Sequence, residues 1–374
     1  MISVTRRSPE AVSAAEWDDL VQRASANVFM NPAALKAAAD TLFAVVHVLL
    51  AWDMAVEPPR LVGLWGLQER STLPFWPALL EALPFHYAFL SSPVIDPAFT
   101  DGVIAAFFAA IRDSKALPNV ISIKEMNGEA ASCAAIRKTV GAGRHPCLEF
   151  SEGVRPVVSR EFGVKSSGST RKKLRQDWNR LSALGALDVV NEREDVLKAF
   201  ETFLELEHGS WKGAEGTALL CDDRDAAFVR RLIGNLAEQG NASVALLMLD
   251  GRAIAAQVVL YCGSVAYTWK TAFDPAYARY SPGMLLIDRL TGELLASGPV
   301  QAIDSCSPAG GFMGQIWAGR RTMVGLLVDV GSRRSAAFIA EAARQLGYTK
   351  LKALRDTLRA AKWLPARKRQ TGTS

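Results

Sequence analysis

Apolar residues recur at helical spacing in some segments of the chain and cluster in short runs in others, which predicts a mixed α+β fold. In the first half, apolar runs at 43–52 and 61–67 flank the turn residues Glu57-Pro-Pro-Arg60, and this arrangement predicts a β-hairpin. The other elements predicted for this half are a helical region at 15–40, a strand at 87–90, a helix at 101–114 and a strand at 120–123.

The second half begins with three segments of helical periodicity and continues with three short apolar runs. Asp250-Gly251, between the first two runs, is a strong signal for a two-residue hairpin turn. A further helix is predicted to start at Pro282, with Ser281 as its N-cap and Gly283 allowing another group to approach closely. The predicted helices are 171–184, 194–208 and 225–239, and the predicted strands are 243–249, 253–261, 265–272 and 300–303.

A chain of 374 residues is long enough for two or three domains. Pro146 and the stretch Gly153-Val-Arg-Pro156, where a basic segment also begins, predict a boundary near residue 150. The predicted units are residues 1–150, residues 151–330 and a basic tail at 331–374 with helical stretches at 336–346 and 351–363.

Charge is distributed unevenly behind a formal net charge of +5. Residues 155–180 carry eight basic side chains against two acidic ones, and residues 330–374 carry eleven against two. Basic segments of this kind attract anionic ligands, although a solvated helix face and a loose tail have the same composition. The two segments are therefore candidate anion-binding regions.

The rest of the composition argues against several classes of protein. With 49% hydrophobic and 22% charged residues the chain has the composition of a globular protein, and no apolar run approaches the roughly 18 residues of a membrane-spanning helix. The N-terminus lacks the apolar core of a secretory signal, which predicts a cytoplasmic protein. Five cysteines without a C-x-x-C pair and four histidines without zinc-ligand spacing predict neither a disulfide framework nor a metal site.

The predicted order of three strands, a loop that opens a helix, and one more strand resembles the acyl-CoA-binding core of the GNAT superfamily of N-acetyltransferases. Several segments within it are similar to the CelD-type, BioF2-like acetyltransferases found in bacterial polysaccharide gene neighbourhoods. These segments are Leu206-Glu-His-Gly-Ser-Trp-Lys-Gly213, Gly216-Thr-Ala218, Tyr267-Thr-Trp-Lys270, Phe273-Asp274 and Tyr277-Ala-Arg-Tyr-Ser-Pro-Gly-Met-Leu-Leu286. The resemblance implies two tandem GNAT-like domains, each a mixed, mostly antiparallel sheet flanked by helices, with the motifs only in the second domain.

Two features depart from the family pattern. The usual GNAT phosphate loop has Arg or Gln, two residues, and then two glycines around one residue, whereas here Arg279 is followed by a single, shifted Gly283. The segment after the last core strand is Asp304-Ser-Cys-Ser-Pro308, where many CelD-type members carry Gly-Asp and Tyr-Lys. The first departure weakens the prediction of cofactor binding, and the second suggests a different acceptor.

The resemblance implies an acyl-CoA co-substrate, with acetyl-CoA as the first candidate. The backbone amides of Ser281, Gly283 and Met284, at a positive helix end, are candidates to hold the pyrophosphate, and Arg279 adds charge. The alternative is an ordinary helix cap without a ligand. Tyr280 or Tyr277 is a candidate to protonate the leaving thiolate.

Acyl transfer to an amine also needs a base that removes a proton from the ammonium. His208 has the most suitable ordinary pKa, about 6.5, but histidine beside Trp211 equally often has a structural hydrogen bond. Asp304, at the end of the last core strand, is a second candidate, and it could equally cap the following turn. Glu207 and Asp274 are also possible, so the sequence leaves the base open.

Four residues are candidates to bind the acceptor. Trp211 and Lys212 form its predicted wall, unless Trp211 belongs to the core and Lys212 is solvated. Lys270 lies in a core strand, where burial without a partner is costly, so it is predicted to meet a carboxylate or an anionic ligand. Asp274 follows the same strand. Cys306 is more plausibly a buried, unreactive thiol than a nucleophile.

The sequence therefore predicts a cytoplasmic acyl-CoA-dependent N-acyltransferase that acts on a small-molecule amine. The resemblance implies that the amine belongs to a sugar or to a cell-envelope precursor. Two alternatives stay open. One is a Fem-type transferase with aminoacyl-tRNA as donor, in which the basic segments would hold RNA phosphates; nucleic acid is otherwise not an expected partner. The other is a catalytically inactive GNAT fold that serves as a binding or scaffold protein.

Overall fold

The computed structural model describes residues 1–71, 76–296 and 298–362. The predicted α+β class is confirmed, because helices flank one large mixed sheet. In chain order the elements are β1 (Ile2–Arg7), α1 (Ala14–Arg23), α2 (Pro32–Asp40), β2 (Val46–Asp53), β3 (Arg60–Arg70), β4 (Leu79–Glu81), β5 (Val94–Ile95), α3 (Thr100–Arg112), β6 (Val120–Asn127), α4 (Ala131–Gly143), β7 (Cys147–Ser159), α5 (Ser169–Ser182), β8 (Leu187–Glu192), α6 (Val196–His208), α7 (Trp211–Ala214), α8 (Asp223–Ala237), β9 (Ala242–Leu249), β10 (Arg252–Cys262), β11 (Val265–Phe273), α9 (Pro282–Ala296), β12 (Ala302–Asp304), α10 (Met313–Ile316), β13 (Gly319–Asp329) and α11 (Ala336–Lys362).

The strands follow the spatial order β1-β2-β3-β4-β6-β13-β7-β12-β11-β10-β9-β8, and β5 pairs with β3 beside this path. Two neighbouring pairs are parallel, β4 with β6 and β11 with β12, and the remaining pairs are antiparallel. Each half of the chain thus contributes an antiparallel meander that ends in one parallel pair. A helix connects the two strands of each parallel pair, as such a crossover requires.

Strands of the two halves pair directly with each other at the middle of the sheet. Strand β13, near the end of the chain, pairs with β6 of the first half on one side and with β7 on the other. The predicted boundary near residue 150 falls inside β7, which also pairs with β12. The sheet is therefore continuous across the boundary, and the division into units at 150 and 330 stays a prediction.

Apolar side chains form a core on each face of this sheet. The larger core contains residues of both halves, among them Trp65, Phe107, Phe203 and Phe228. A second core packs α5 and α9 against the opposite face of the strands β9 to β12. Because the larger core crosses the middle of the sheet, helices α6 and α8 of the second half pack directly on side chains of the first.

Residues 87–90 do not form the predicted strand. They belong to a loop at 82–93 that carries aromatic side chains onto the second half. The Tyr87 carbonyl accepts a hydrogen bond from Trp269 Nε1 at 2.9 Å, and the Tyr87 ring stacks with Phe228. The aromatic residues of this loop therefore pack across the two halves instead of adding a strand to the sheet.

The predicted helical tail is one continuous helix from Ala336, since no proline or glycine pair interrupts it before Lys362. Its first turn is fixed by Phe338, which packs with Leu79, Val120 and Leu327. Trp363 and the following residues lie outside the described residues. Within the described ranges, none of the helices combines the length and the apolar character needed to cross a bilayer.

Candidate functional site

The parallel strands β11 and β12 separate after a short contact. Val265, Ala266 and Tyr267 pair with Ala302, Ile303 and Asp304, and β11 then continues to Phe273 without β12 beside it. The opening between Thr268–Phe273 and the residues that follow Asp304 is called the fork below. Beyond Tyr267 this edge of β11 pairs with no strand among the described residues, so an extended ligand arm could lie along it.

A β-bulge in β11 lies at the closed end of the fork. Val258 of β10 pairs with Lys270, but Val259 pairs with Thr268, so Trp269 is an extra residue. A bulge interrupts the alternation of side chains, and Trp269 and Lys270 consequently both face the loop at 82–93. The bulge within Tyr267-Thr-Trp-Lys270 thus places the adjacent side chains of Trp269 and Lys270 on one face of the sheet.

Lys270 is largely buried beside this bulge. Its Nζ lies 4.5 Å from the centroid of the Tyr87 ring and 5.4 Å from that of Trp269. Among the described residues no side chain forms an ion pair or hydrogen bond with this amino group. Burial lowers the pKa of Lys270 to about 8, while the nearby carboxylates of Glu207 and Asp225 act against that shift. Among the described residues, Lys270 therefore lacks the predicted contact with a carboxylate. Its contact with an anionic ligand stays a prediction.

The segment Leu206–Gly213 forms a tight connection between α6 and α7. The buried Glu207 accepts from Lys212 Nζ at 2.7 Å and from the Leu219 amide at 3.0 Å. A Cβ atom on Gly213 would lie 1.8 Å from the His208 carbonyl oxygen, so only glycine fits there. This motif positions Lys212 and engages both oxygens of Glu207.

The other side chains of that segment face solvent. Trp211 is 59% exposed, which excludes the core role considered for it. His208 is exposed at the end of α6, with its Nδ1 3.8 Å from the Sγ of Cys221. Of the four candidate bases, His208 is therefore the one whose side chain is exposed and accessible to a substrate.

Asp304 is fully buried, and both of its oxygens are engaged. Oδ1 accepts from the Cys306 amide at 2.8 Å and lies 3.3 Å from Arg155, and Oδ2 accepts from Arg321 at 2.6 Å. Arg155 also donates to Glu125 at 2.6 Å. Asp304 therefore caps the following turn, as the structural interpretation predicted, and it belongs to a chain of alternating charges that links β6, β7, β12 and β13.

The start of α9 differs from its prediction. Ser281 has φ 53° and ψ 49°, a left-handed conformation, because the 3-10 helix Pro275–Tyr280 ends directly at α9 and the chain must reverse there. Ser281 is therefore not a side-chain N-cap. Its hydroxyl accepts instead from Lys173 Nζ of α5 at 2.9 Å.

Two of the three backbone amides expected to form an anion site already donate hydrogen bonds within the protein. The Ser281 amide donates to Ala278, and the Met284 amide donates to the Ser281 carbonyl at 2.9 Å. The Gly283 amide has no acceptor among the described residues. Gly283 also lies close to β11, since a Cβ atom there would be 3.2 Å from Thr271 Cγ2. An anion at this helix start would bind one free amide together with the ammonium of Lys173, which also forms an ion pair with the buried Asp177.

The remaining predicted residues lie near the same turn. Arg279 is exposed and covers the ring of Tyr280 at 4.7 Å, and Tyr280 is buried in the second core. Asp274 accepts from the Ala276 amide at 2.9 Å and from Arg252 at 2.8 Å, away from Lys270. Burial raises the pKa of Cys306 well above its ordinary value, which agrees with an unreactive thiol.

The sequence of the second half matches a known family. Residues 168–311 match the family model for the acetyltransferase (GNAT) domain. The matched range contains the fork, the bulge at Trp269 and the start of α9. No curated protein matches the chain at a significant level.

Three solved structures show the same fold over most of the chain. FemX aligns with a TM-score of 0.57 at 13% identity, covering 80% of this chain and 88% of its own. A conserved protein of unknown function from Bacteroides thetaiotaomicron aligns at 0.54 and 10% identity, covering 87% and 100%. The C-terminal domain of a proposed lysylphosphatidylglycerol synthetase from Agrobacterium fabrum aligns at 0.51 and 12% identity, covering 88% and 94%. Both halves therefore take part in a fold that these proteins share, and the narrower CelD-type, BioF2-like assignment stays a prediction.

The sequence did not reveal three residues that the fold brings to the predicted site residues. Tyr87 reaches Lys270 from the first half, Lys173 reaches Ser281 from α5, and Arg155 reaches Asp304 from β7. Lys173 and Arg155 belong to the basic segment at 155–180, so the excess of positive charge was a signal for them. No local signal marks Tyr87, because its contact depends on how the two halves pack.

Proposed function

We propose that this protein is an acyl-CoA-dependent N-acyltransferase, with acetyl-CoA as the first candidate donor and an amine as acceptor. The observation that carries the proposal is the fork between β11 and β12, which has the start of α9 near its open end and the Trp269 bulge at its closed end. The match of residues 168–311 to the acetyltransferase (GNAT) domain supports it.

In this proposal the donor lies along the free edge of β11. Its pyrophosphate binds the Gly283 amide and the Lys173 ammonium, with Arg279 as an additional cation. The pantetheine arm extends through the fork toward the bulge. Backbone amides of β11 and the charged form of Lys270 would then face the thioester carbonyl and stabilise the negative charge that develops on its oxygen.

The reaction requires one proton transfer on each side of the carbonyl. The acceptor ammonium loses a proton to a base, for which His208 is the exposed candidate, and the free amine attacks the thioester carbon. The C–N bond forms, the C–S bond breaks, and the second proton that the attacking nitrogen loses passes to the CoA thiolate, which leaves as the free thiol. Asp304 orients Arg155 and Arg321 in this scheme, since its own oxygens are engaged.

Isothermal titration calorimetry with acetyl-CoA tests the donor site. Wild-type protein is expected to bind it, and Lys173→Met to bind about tenfold more weakly because one charged hydrogen bond is lost. Because this change also removes the ion-pair partner of the buried Asp177, the folded state of the variant is verified by circular dichroism before titration. Gly283→Val is expected to abolish binding, since a side chain would fill the contact with Thr271. Lys172→Met and Gly292→Val serve as controls on the same helices, because both positions are exposed. Absence of binding at 1 mM acetyl-CoA, or equal binding by Gly283→Val, would contradict the proposal.

An aminoacyl-tRNA donor is the second candidate. The likeness in fold to FemX over 80% of the chain supports it, because Fem-type transferases use aminoacyl-tRNA. The exposed cations Lys172, Arg175 and Arg180 on α5 support it as well. Titration of tRNA at several salt concentrations tests this alternative. A binding constant that falls steeply with salt would favour it, and indifference to tRNA would exclude it.

A further inference from the structure

A cavity of about 660 Å³ lies where the two halves meet. It is lined by the loop at 82–93, by β3, β4 and β6 of the first half, by β7 and β13, and by residues 306–308, which follow β12. Its volume is in the range of sites for small ligands. Because Cys306 lies two residues after the last pair of β11 and β12, this central cavity adjoins the closed end of the fork.

One end of the central cavity presents the carboxylate of Glu125, which is the exposed end of a charge-balanced network with Arg155, Asp304 and Arg321. Arg155 donates to Glu125 at 2.6 Å and lies 3.3 Å from the buried Asp304, whose other oxygen accepts from Arg321. The Glu125 side chain is 49% exposed, whereas those of Arg155 and Asp304 are 3% and 0% exposed. The chain of charges thus ends in the cavity with a carboxylate that can accept further hydrogen bonds.

Another part of the same cavity has a surplus of positive charge. Arg70 and Lys124 share a single carboxylate, that of the nearly buried Glu81. Arg70 Nε lies 2.8 Å from Glu81 without the alignment of a hydrogen bond, and neither Nε nor Nη2 has a hydrogen-bond acceptor among the described residues. Buried guanidinium donors without an acceptor are uncommon in folded proteins, and a bound anion is one explanation for them.

The wall between these two charged regions is partly apolar. Phe85 and Phe89 of the loop at 82–93 and Met323 of β13 line it. A ligand that fits such a lining carries an ammonium, an anionic group and an apolar body. This is the pattern of an amino acid or of an amino-bearing phosphate monoester.

We infer that the central cavity binds a zwitterionic amine, with Glu125 holding its ammonium and Arg70 and Lys124 holding its anionic group. The inference rests on the proposed function in one respect, since it names this zwitterion as the acceptor of the acyl group. His208 does not line the cavity, so for this acceptor Glu125 takes the place of His208 as the base that removes the ammonium proton. Binding itself needs no donor. The ligand site and the donor site can therefore be tested separately.

The test is calorimetry of the full chain without CoA. L-leucine, 3-methylbutylamine and 4-methylpentanoate share one carbon skeleton and carry both charges, only the ammonium, or only the carboxylate. L-leucine is expected to bind at least about tenfold more tightly than either single-charge analogue, because two charged contacts form together. O-phosphoethanolamine against ethanolamine tests a phosphate in place of the carboxylate, and tighter binding of the phosphate compound than of L-leucine would assign that anion.

Variants locate the site. Glu125→Gln is expected to weaken binding of the zwitterion about tenfold or more, and Arg70→Gln to remove the preference for an anionic group. Glu149→Gln is the matched control, since Glu149 also pairs with an arginine at half exposure but lies outside the cavity. Phe89→Trp narrows the cavity and leaves its charged side chains unchanged. Weaker binding of the zwitterion by this variant would support the site even if Glu125→Gln failed to fold.

The inference is overturned if no zwitterion binds at millimolar concentration, or if folded Glu125→Gln and Phe89→Trp bind as wild type does. Zwitterion binding without any acetyl-CoA binding would refute the proposed donor and leave the cavity assignment intact. Acyl transfer to a simple amine at a rate independent of Glu125 would refute the cavity assignment and leave the donor intact.

Discussion

Replacing Lys270 by methionine is expected to stabilise the protein near neutral pH. Methionine keeps the unbranched side chain and can pack against the rings of Tyr87 and Trp269, but it carries no charge to bury. The pKa of Lys270 falls from 10.5 to about 8, and each pKa unit corresponds to about 1.36 kcal/mol. The buried charge therefore costs at most about 3 kcal/mol, and about 2 kcal/mol once the partial exposure of the side chain is allowed for.

The expected gain depends on pH in a definite direction. Between pH 8 and 10.5 the unfolded chain keeps the proton of Lys270 while the folded protein has lost it, so the stability of the wild type rises with pH in this window. The variant has no such proton. Its advantage over the wild type should be complete below pH 8 and should shrink steadily above it.

Urea unfolding at pH 6.5, 8.0 and 9.5 measures this difference. Lys115→Met is the control, because Lys115 is exposed and its replacement should change stability little at any of these values. We expect Lys270→Met to be more stable and also to lose acyl transfer, since the same charge faces the thioester in the proposed reaction. A variant that is no more stable at pH 6.5, or whose advantage is unchanged at pH 9.5, would refute the assigned burial cost.

Two further predictions concern the framework of the site. Asp304→Asn should lower the free energy of unfolding by about 3–5 kcal/mol, because it leaves the buried Arg155 with one carboxylate fewer, whereas Asp101→Asn, in an exposed ion pair, should cost no more than about 1 kcal/mol. Urea titration compares them, and equal losses would contradict the buried network. Gly213→Ala should destabilise by about 2–4 kcal/mol, since its Cβ would collide with the His208 carbonyl, whereas Gly292→Ala, on the open surface of α9, should be neutral or stabilising. Thermal unfolding distinguishes the two, and a tolerated Gly213→Ala would show that the motif from Leu206 to Gly213 is not closely packed.

Much of the second half could be predicted because its signals are local. The hairpin at Asp250-Gly251, the three strands around it and the helix that starts at Pro282 depend on turn residues and periodicity within a few positions. The difficulty of burying Lys270 was also visible from its place in an apolar strand. These features need no knowledge of the other half of the chain.

The features that the sequence did not reveal depend on distant contacts. Ser281 has the residue type of an N-cap, but the preceding 3-10 helix forces it into a left-handed conformation. The segment 87–90 is apolar like a strand, yet it packs on Trp269 and Phe228 of the second half. Asp304 resembled a free base only because Arg155 and Arg321, far away in sequence, could not be placed beside it.

Release of free thiol from acetyl-CoA in the presence of a zwitterionic amine tests the central claim most directly. The account predicts thiol release that requires the amine, yields the N-acetylated product by mass spectrometry, and is lost in both Gly283→Val and Lys270→Met but retained in Gly292→Val. Transfer from aminoacyl-tRNA to the same amine, with no thiol release from acetyl-CoA, would contradict it.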